Sequence, residues 1–350
     1  IALAATAGLA LWPEDPVAAR WQDYLARLER LTRQPVPPAA ALELRPYPGN
    51  AALRRPLPDL RTGLLNYLGL RHCDLMSLVS ERNSALGKLR SASLRLDYEL
   101  TFIERGQRCL NGAALEDPEL IGLLERTLEV KRDSLGDLFW NATWASDELR
   151  GFLNQSPGPA GDSARGLEAL GGLASAGRAL RESPPPDALP DLERHLATLA
   201  GGAAGGAVLR EIAAARVALG QALGMLESLD EDSLCPRGRA SQRARYLRNL
   251  LDSVYGQEVQ PYLADLDRRQ RRLGERLRAL RAASSGTNPA LDRWLDHYFG
   301  PRGQSARLDQ ALRAHTERLP PLLRACGLLP GGVRPAPVRS WPPRPWCTPR

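Results

Sequence analysis

The chain has 350 residues, of which 43% are hydrophobic and 25% charged, and this balance excludes a disordered protein. Its formal net charge is +7, yet Lys88 and Lys131 are its only lysines among 47 basic residues. Such a preference for arginine, beside abundant alanine, glycine, leucine and proline, indicates a GC-rich genome, so the charge is not evidence for a nucleic-acid partner.

The first segment, residues 1–14, opens with an apolar run, IALAATAGLALW, that is too short for a membrane-spanning helix of about 20 residues. We interpret it as the remnant of a secretory signal whose basic start is missing, with Ala5-Thr6-Ala7 as the cleavage site. A short buried or frayed segment is the alternative. No cysteine follows the run, so these residues show no lipid attachment site.

Apolar residues recur at spacings of three and four along most of the chain, and this pattern predicts helices. Because no alternating strand pattern of useful length occurs, we expect an all-α protein, an elongated bundle of long antiparallel helical hairpins. A linker at 154–163 divides it into an N-terminal helical region, 15–155, and a C-terminal one, 156–330. The main predicted helices are 15–31, 60–89, 94–110, 118–152, 189–229, 239–282, 288–299 and 306–323.

Several non-helical signals interrupt this pattern. A proline-rich connector, 35–58, follows the first helix, and Asp117-Pro118 is a typical helix start, with aspartate as N-cap and proline at the first position. Gly201-Gly202 and Gly205-Gly206 predict a kink or break, since each glycine costs a helix about 1 kcal/mol relative to alanine. The tail, 331–350, is rich in proline and is expected to be disordered.

The longest predicted helix, 239–282, has apolar residues at every seventh position, a spacing typical of helical bundles, and Pro261 predicts a kink within it. It holds eleven arginines against five acidic residues. Such a surface could bind a polyanion or anionic lipid headgroups, although a solvated helix face is the alternative. The apolar residues are Val259, Leu266, Leu273 and Leu280, and the arginine cluster is Arg268, Arg269, Arg271 and Arg272.

Two pairs of cysteines lie symmetrically about predicted turns. Cys73 and Cys109 are 36 residues apart, and their midpoint falls in a turn-like stretch, 87–93. If both arms are helical, each cysteine lies about 25 Å from the bend, and an antiparallel hairpin brings the two sulfurs level. Cys235 and Cys326 are 91 residues apart about a turn at 282–289.

We therefore expect two disulfides, which indicate an oxidising compartment. Buried free thiols are the alternative, since cysteine is among the most buried residues. Cys347, in the tail, is the odd one of five.

Motifs for catalysis are lacking. The four histidines are far apart in sequence, and no metal-binding spacing occurs, so we expect no metal and no cofactor. Residues 84–88 loosely resemble a phosphate loop but lack its first glycine and the Ser/Thr after the lysine. No serine or cysteine is arranged with a histidine and an acid as in known hydrolases. An enzyme is then possible only through a site assembled from scattered residues.

A block of residues carries a family resemblance. It comprises PDLR at 58–61, GLL at 63–65, Cys73, ERNSALGK at 81–88, Ser93, Arg95-Leu96, Tyr98-Glu99 and Cys109, and Lys131 and Trp140-Asn141-Ala142-Thr143 extend it. Over roughly 15–325 the chain resembles the bacterial envelope lipoproteins known as domain of unknown function 3080. The resemblance implies a helical, exported, usually lipid-anchored protein of Gram-negative bacteria with no assigned activity.

The polar residues of this block allow two interpretations. Arg82, Asn83, Lys88 and Arg95 around a hairpin tip form a candidate anion or partner site. Alternatively, Asn83 and its neighbour cap helix ends and Arg95 pairs with Glu99 in the same helix.

The sequence therefore predicts a non-catalytic protein of the periplasm or outer membrane that acts as a binding or structural module. Its expected partner is an unidentified envelope protein or a membrane surface, and no nucleic acid is expected. An envelope enzyme and a polyanion-binding protein are the alternatives.

Overall fold

A computed structural model describes residues 16–58, 73–84, 91–112, 115–156, 161–182, 185–189 and 191–329. The signal-like segment 1–14, Lys88, the tail 331–350 and Cys347 lie outside the described residues, as does most of the predicted helix 60–89. The described part of the chain is helical without a single strand, which confirms the all-α prediction.

Fourteen α-helical segments are described, and a π-helical segment, Leu251–Val259, joins two of them. The helices are α1 (Pro16–Thr32), α2 (Asn50–Leu53), α3 (Leu75–Asn83), α4 (Ala92–Asn111), α5 (Pro118–Thr143), α6 (Asp147–Phe152), α7 (Ser163–Ala179), α8 (Leu192–Ala200), α9 (Ala204–Glu227), α10 (Glu231–Leu234), α11 (Gln242–Leu250), α12 (Gln260–Ala283), α13 (Pro289–Phe299) and α14 (Gln304–Ala325).

Three long helix pairs form the body of the protein: α4 packs along α5, α7 along α12, and α9 along α14. Helix α1 packs against α9 and the π-helical segment, so elements of both predicted regions share one hydrophobic core. The boundary between 15–155 and 156–330 stays a prediction. The residues predicted at sevens, Val259, Leu266, Leu273 and Leu280, are all buried in this core.

Local signals set most helix ends. The carboxylate of Asp117 accepts a hydrogen bond from the Glu119 N–H at 2.8 Å, as expected for the N-cap of α5. The prediction that this helix continues to 152 is wrong. It ends at Thr143, and Ser146 caps the next helix by accepting from the Leu149 N–H at 3.2 Å.

The glycine and proline signals act as follows. Gly201-Gly202 separates α8 from α9, which confirms a break. Gly206 lies inside α9, where a side chain would collide with the carbonyl group of Asn154, so this glycine permits close packing. Pro261 is the second residue of α12, which continues without a break from the π-helical segment, and the helical irregularity occupies that segment just before the proline.

Both predicted disulfides are present. Cys73–Cys109 joins the chain just before α3 to the last turn of α4, with the two Cα atoms 5.2 Å apart. Cys235–Cys326 joins the end of α10 to the end of α14, with Cα atoms 5.1 Å apart. The first bridge thus joins the ends of two consecutive described helices, and the second joins the ends of two helices that are distant in sequence.

Candidate functional site

The most organised polar feature is an extended segment, residues 33–58, which we call the strap. It contains one short helix, α2, and otherwise runs without helix or strand. Arg33 has a φ of 59°, which ends α1 with a sharp turn. Seven prolines, at 35, 37, 38, 46, 48, 56 and 58, then keep the backbone from forming a longer helix.

Side chains from distant helices bind the backbone of the strap at its middle. The Arg45 N–H donates to the hydroxyl oxygen of Tyr298 at 2.7 Å, and the same hydroxyl donates to the Arg45 carbonyl at 2.9 Å. That carbonyl also accepts from Trp294 Nε1 at 3.1 Å and Gln155 Nε2 at 2.9 Å. Three side chains therefore fix both main-chain polar groups of Arg45.

A second set of hydrogen bonds to the main chain of the strap involves Trp140 and Asn141, which belong to the block that carries the family resemblance. The Asn141 side chain accepts from the Arg55 N–H at 2.8 Å and donates to the Arg55 carbonyl at 3.0 Å. Trp140 Nε1 donates to the Leu53 carbonyl at 2.7 Å. The Arg55 guanidinium lies 3.8 Å from the centre of the Trp140 ring and pairs with Asp137 at 2.8 Å.

Strap side chains also form contacts: the Tyr47 hydroxyl donates to the Trp144 carbonyl at 2.8 Å, and Asn50 donates to Asp147 at 3.2 Å. Four further hydrogen bonds bind the main chain of the strap and of the end of α1, and in each a side chain donates to a main-chain carbonyl. The pairs are Arg243 with Leu31 at 2.8 Å, Gln221 with Pro37 at 2.6 Å, Arg150 with Pro48 at 3.4 Å, and Asn288 with Ala52 at 2.8 Å.

One strap side chain, Glu43, has a pocket of its own. Its carboxylate pairs with Arg307 at 2.6 Å and Arg216 at 3.0 Å, while its carbonyl contacts Gln304 Nε2 at 3.1 Å and His297 Nε2 at 3.0 Å. The hydrogen bond from Arg307, assisted by the charge of Arg216, holds the pKa of Glu43 below its ordinary value. We call these four partner side chains the Glu43 pocket.

An open groove of about 590 Å³ runs beside the strap. The strap forms one wall, and α6 with the residues after it forms the other. Two smaller clefts, of about 200 and 250 Å³, lie elsewhere. The groove is lined by Leu44, Pro46, Tyr47, Asp147, Arg150, Gly151, Leu153, Asn154, Gln155 and Ser156.

The predicted polar site at the hairpin tip is only partly described. Arg82 and Asn83 form the last turn of α3, whose C-cap is Ser84. Arg95 Nε lies 4.0 Å from Glu99 in the same helix, as in the structural alternative. Glu99 also forms a buried ion pair with Lys131 of α5, so this part of the block holds two helices together.

The arginine cluster of α12 is surrounded by acids. Arg269 binds Glu211 of α9 at 2.8 Å and Asp265 at 2.7 Å, and Arg268 lies 3.0 Å from the same aspartate. Arg271 pairs with Asp267 at 2.5 Å. Arg272 is exposed. Much of the predicted positive surface is therefore balanced locally, and binding of a polyanion there stays a prediction.

Of the four histidines, His72 lies outside the described residues, and the other three do not gather at a cleft. His315 is fully buried, and its Nε2 lies 2.9 Å from the Tyr24 hydroxyl, while its ring packs on Tyr255 of the π-helical segment. Burial lowers its pKa to about 4. His195 and His297 lie on different helices. Among the described residues, no group of three or more His, Cys, Asp or Glu side chains could hold a metal ion.

The strap and the Glu43 pocket were missed by sequence reasoning. The proline-rich connector was recognised, but it was interpreted only as a link between helices. The Trp140-Asn141 pair belongs to the block that carries the family resemblance, but its residue types alone do not indicate main-chain binding. Nothing in the sequence pattern connects either residue to position 55.

The fold and this site define the class: an all-α, twice disulfide-bonded protein whose helices bind an extended segment of the same chain. The chain belongs to the family described as Protein of unknown function (DUF3080), whose model matches residues 21–330. No curated protein and no solved structure matches it. None of the described helices is long and apolar enough to cross a membrane.

Proposed function

We propose that this protein is an exported, non-catalytic binding module of the cell envelope, periplasmic or associated with the outer membrane, whose groove beside the strap receives a polypeptide partner. The two disulfides support an oxidising compartment. The apolar residues 1–14 support export, and the family resemblance supports an envelope lipoprotein, although these residues carry no cysteine for a lipid.

The observation that supports the binding role is the set of side-chain hydrogen bonds that hold the main chain of the strap. It fixes Leu44, Pro46 and Tyr47 as a rigid wall of the open groove, so the surface is ordered before any partner arrives. Preorganisation of this kind reduces the entropy lost on binding. The volume of about 590 Å³ is within the range of ligand-binding clefts and accommodates a few side chains of a partner.

An enzyme is less well supported by the arrangement of titratable groups. The histidine with the most strongly shifted pKa, His315, is packed between aromatic rings and does not line the groove. The groove's own charged residues, Asp147 and Arg150, lie 3.6 Å apart and neutralise each other. We therefore consider a binding role better supported than a catalytic role.

Site-specific photocrosslinking in intact cells tests the binding role. A photoreactive amino acid at Asp147 or Ser156, on the groove rim, is expected to capture one recurrent partner. Matched exposed positions away from the groove, Asp252 and Arg268, are expected to capture none. Equal labelling from all four positions, or no product from the groove positions, would contradict the proposal.

Peptide mapping without reduction tests the compartment separately. In protein alkylated as the cells are lysed, we expect linked peptides that contain Cys73 with Cys109 and Cys235 with Cys326. Alkylated free thiols at these positions would show that the protein does not reside in an oxidising compartment.

A further inference from the structure

We propose that the Glu43 pocket is the anchor of a second binding site, beneath the strap, for an extended polypeptide segment that carries one carboxylate side chain. In this structure the strap occupies the site in cis. The site lies under the strap, whereas the groove of the proposed function lies beside it and uses Leu44, Pro46 and Tyr47 of the strap as a wall. The two sites therefore bind their ligands alternately, and either assignment can fail alone.

The floor of this site consists of side chains from three helices. Helix α9 contributes Gln221 and Arg216, α13 contributes Trp294, His297 and Tyr298, and α14 contributes Gln304 and Arg307. Most of them bind main-chain atoms, which any extended segment can offer. Main-chain hydrogen bonds of this kind provide affinity in peptide recognition, and side-chain pockets provide specificity.

Specificity comes from the two guanidinium groups that flank Glu43. Arg216 and Arg307 belong to different helices, yet both reach the same carboxylate. Arg216 is 18% exposed in its side chain, so its charge is largely shielded from solvent and favours an anion as its neighbour. A segment without a carboxylate at this position would leave two adjacent cations uncompensated.

The strap does not use the full hydrogen-bonding capacity of the pocket. Nε of Arg216, Nε of Arg307 and Oε1 of Gln304 are buried, and they have no hydrogen-bond partner in the part of the chain that the structure describes. Each arginine therefore binds Glu43 through a single terminal nitrogen, although a guanidinium can bind an anion through two. A ligand that forms hydrogen bonds with these three atoms would therefore make contacts that the strap does not make.

Displacement of the strap has a cost that an incoming segment must match. Of residues 33–58 only Leu53 is fully buried, but the strap covers Trp294 and Tyr298, which are 1% and 0% exposed. An incoming segment must cover these two rings again and replace the lost main-chain hydrogen bonds. Because the tethered strap competes at an effective concentration of about millimolar, only a well-matched segment can displace it.

Fluorescence anisotropy with a peptide in trans tests the inference. The probe is a fluorescein-labelled synthetic peptide with the sequence of residues 36–48, and the receptor is the full chain with its disulfides intact. In the variant Glu43→Lys a cation replaces the carboxylate between Arg216 and Arg307, so the variant strap is expelled from the pocket. We expect this variant to bind the probe at least about tenfold more tightly than the wild type does.

Two controls define the role of the carboxylate. A probe with glutamine at the position of Glu43 is expected to bind the Glu43→Lys variant at least about tenfold more weakly than the parent probe. Adding Arg307→Gln to the variant is expected to reduce binding of the parent probe to a similar extent. Equal binding by wild type and variant, or equal binding of the two probes, would overturn the inference.

A milder variant covers the case in which Glu43→Lys does not fold. Glu43→Ala leaves the two arginines without an anion, and inorganic phosphate is expected to raise its melting temperature more than that of the wild type. The double variant Glu43→Ala/Arg307→Gln is expected to lose this difference. A phosphate effect of the same size in all three proteins would show that the pocket does not select an anion.

Discussion

The Lys131 ammonium donates a hydrogen bond to the Glu99 carboxylate between helices α5 and α4, and their side chains are only 10% and 8% exposed. The ammonium also lies 4.3 Å from the centre of the Phe102 ring and 5.5 Å from that of Tyr98. In a chain that uses arginine almost everywhere, a lysine thus occupies a closed site bounded by two aromatic faces and a carboxylate.

Substitution of this lysine is predicted to destabilise the protein strongly. Lys131→Met removes the charge and leaves a buried carboxylate without its main partner, which typically costs about 3 to 5 kcal/mol. We expect the lower end of that range, because Arg95 lies 4.0 Å from the other oxygen of Glu99. Urea denaturation at neutral pH measures the change in the free energy of unfolding.

The matched control is the double variant Glu99→Leu/Lys131→Met. It replaces both charges with apolar groups, so it is expected to recover most of the stability lost in the single variant. If the single and double variants prove equally unstable, the loss comes from packing against Phe102 and not from an unpaired charge.

The hydrogen bonds of Asn141 to the strap are predicted to contribute more to the free energy of unfolding than the hydrogen bond of Gln155. Asn141→Leu removes the hydrogen bonds to the N–H and the carbonyl of Arg55, and we expect a loss of about 2 kcal/mol. Gln155→Ala removes one of three donors to the Arg45 carbonyl, and Trp294 and Tyr298 remain. Its cost is expected to stay below about 1 kcal/mol in the same denaturation experiment. The reverse order would show that the strap is held mainly at its middle.

The fold was largely predictable because its determinants are local or symmetric. Helical periodicity located α1, α4, α13 and α14 to within a few residues, and an N-cap aspartate with proline marked the start of α5. The predicted helix 239–282 corresponds to α11, the π-helical segment and α12 together. The first disulfide agrees with the predicted symmetry of two arms about a turn. The second is present although its predicted arms, 239–282 and 288–323, do not pack along each other, since α12 packs along α7 and α14 along α9. The break after Thr143 was not predictable from periodicity, since the apolar pattern continues across it.

The candidate site was not predictable for a physical reason. The donors that bind the strap lie between 86 and 264 residues away from the acceptors at Glu43, Arg45 and Arg55. Single glutamine, asparagine and tryptophan side chains have no periodicity that marks them as main-chain ligands. The sequence marks Lys131 only as a member of the family block, and it predicts an ion pair of Glu99 with Arg95 alone, not with Lys131.

The two disulfides are predicted to contribute unequally to stability. The chain-entropy model gives about 4 kcal/mol for the loop of 36 residues closed by Cys73–Cys109 and about 4.5 kcal/mol for the 91 residues closed by Cys235–Cys326. Paired Cys→Ser variants of each bridge, unfolded in urea without reductant, measure the two values. A larger loss from the shorter loop would mean that native-state contacts at Cys73–Cys109 outweigh loop entropy.

Acid is predicted to destabilise the protein through His315. Burial lowers the pKa of this histidine from 6.5 to about 4, and no described residue accepts a hydrogen bond from its Nδ1. Below pH 6.5 the unfolded chain therefore binds a proton that the folded protein does not bind until about pH 4. Stability contributed by the neutral imidazole is thus present at pH 7.5 and falls as the pH drops through this window, by at most about 3 kcal/mol.

Urea denaturation at pH 7.5, 6 and 5 measures this loss, and the variant His315→Gln isolates it. Glutamine does not titrate and can still accept a hydrogen bond from Tyr24, so the variant is expected to lose less stability between pH 7.5 and 5 than the wild type. His195→Gln is the matched control. Burial also lowers the pKa of His195, but this histidine is only partly buried, so its substitution is expected to change the pH profile less. Parallel pH profiles for wild type and His315→Gln would show that other groups, the carboxylates of ion pairs among them, govern the acid sensitivity.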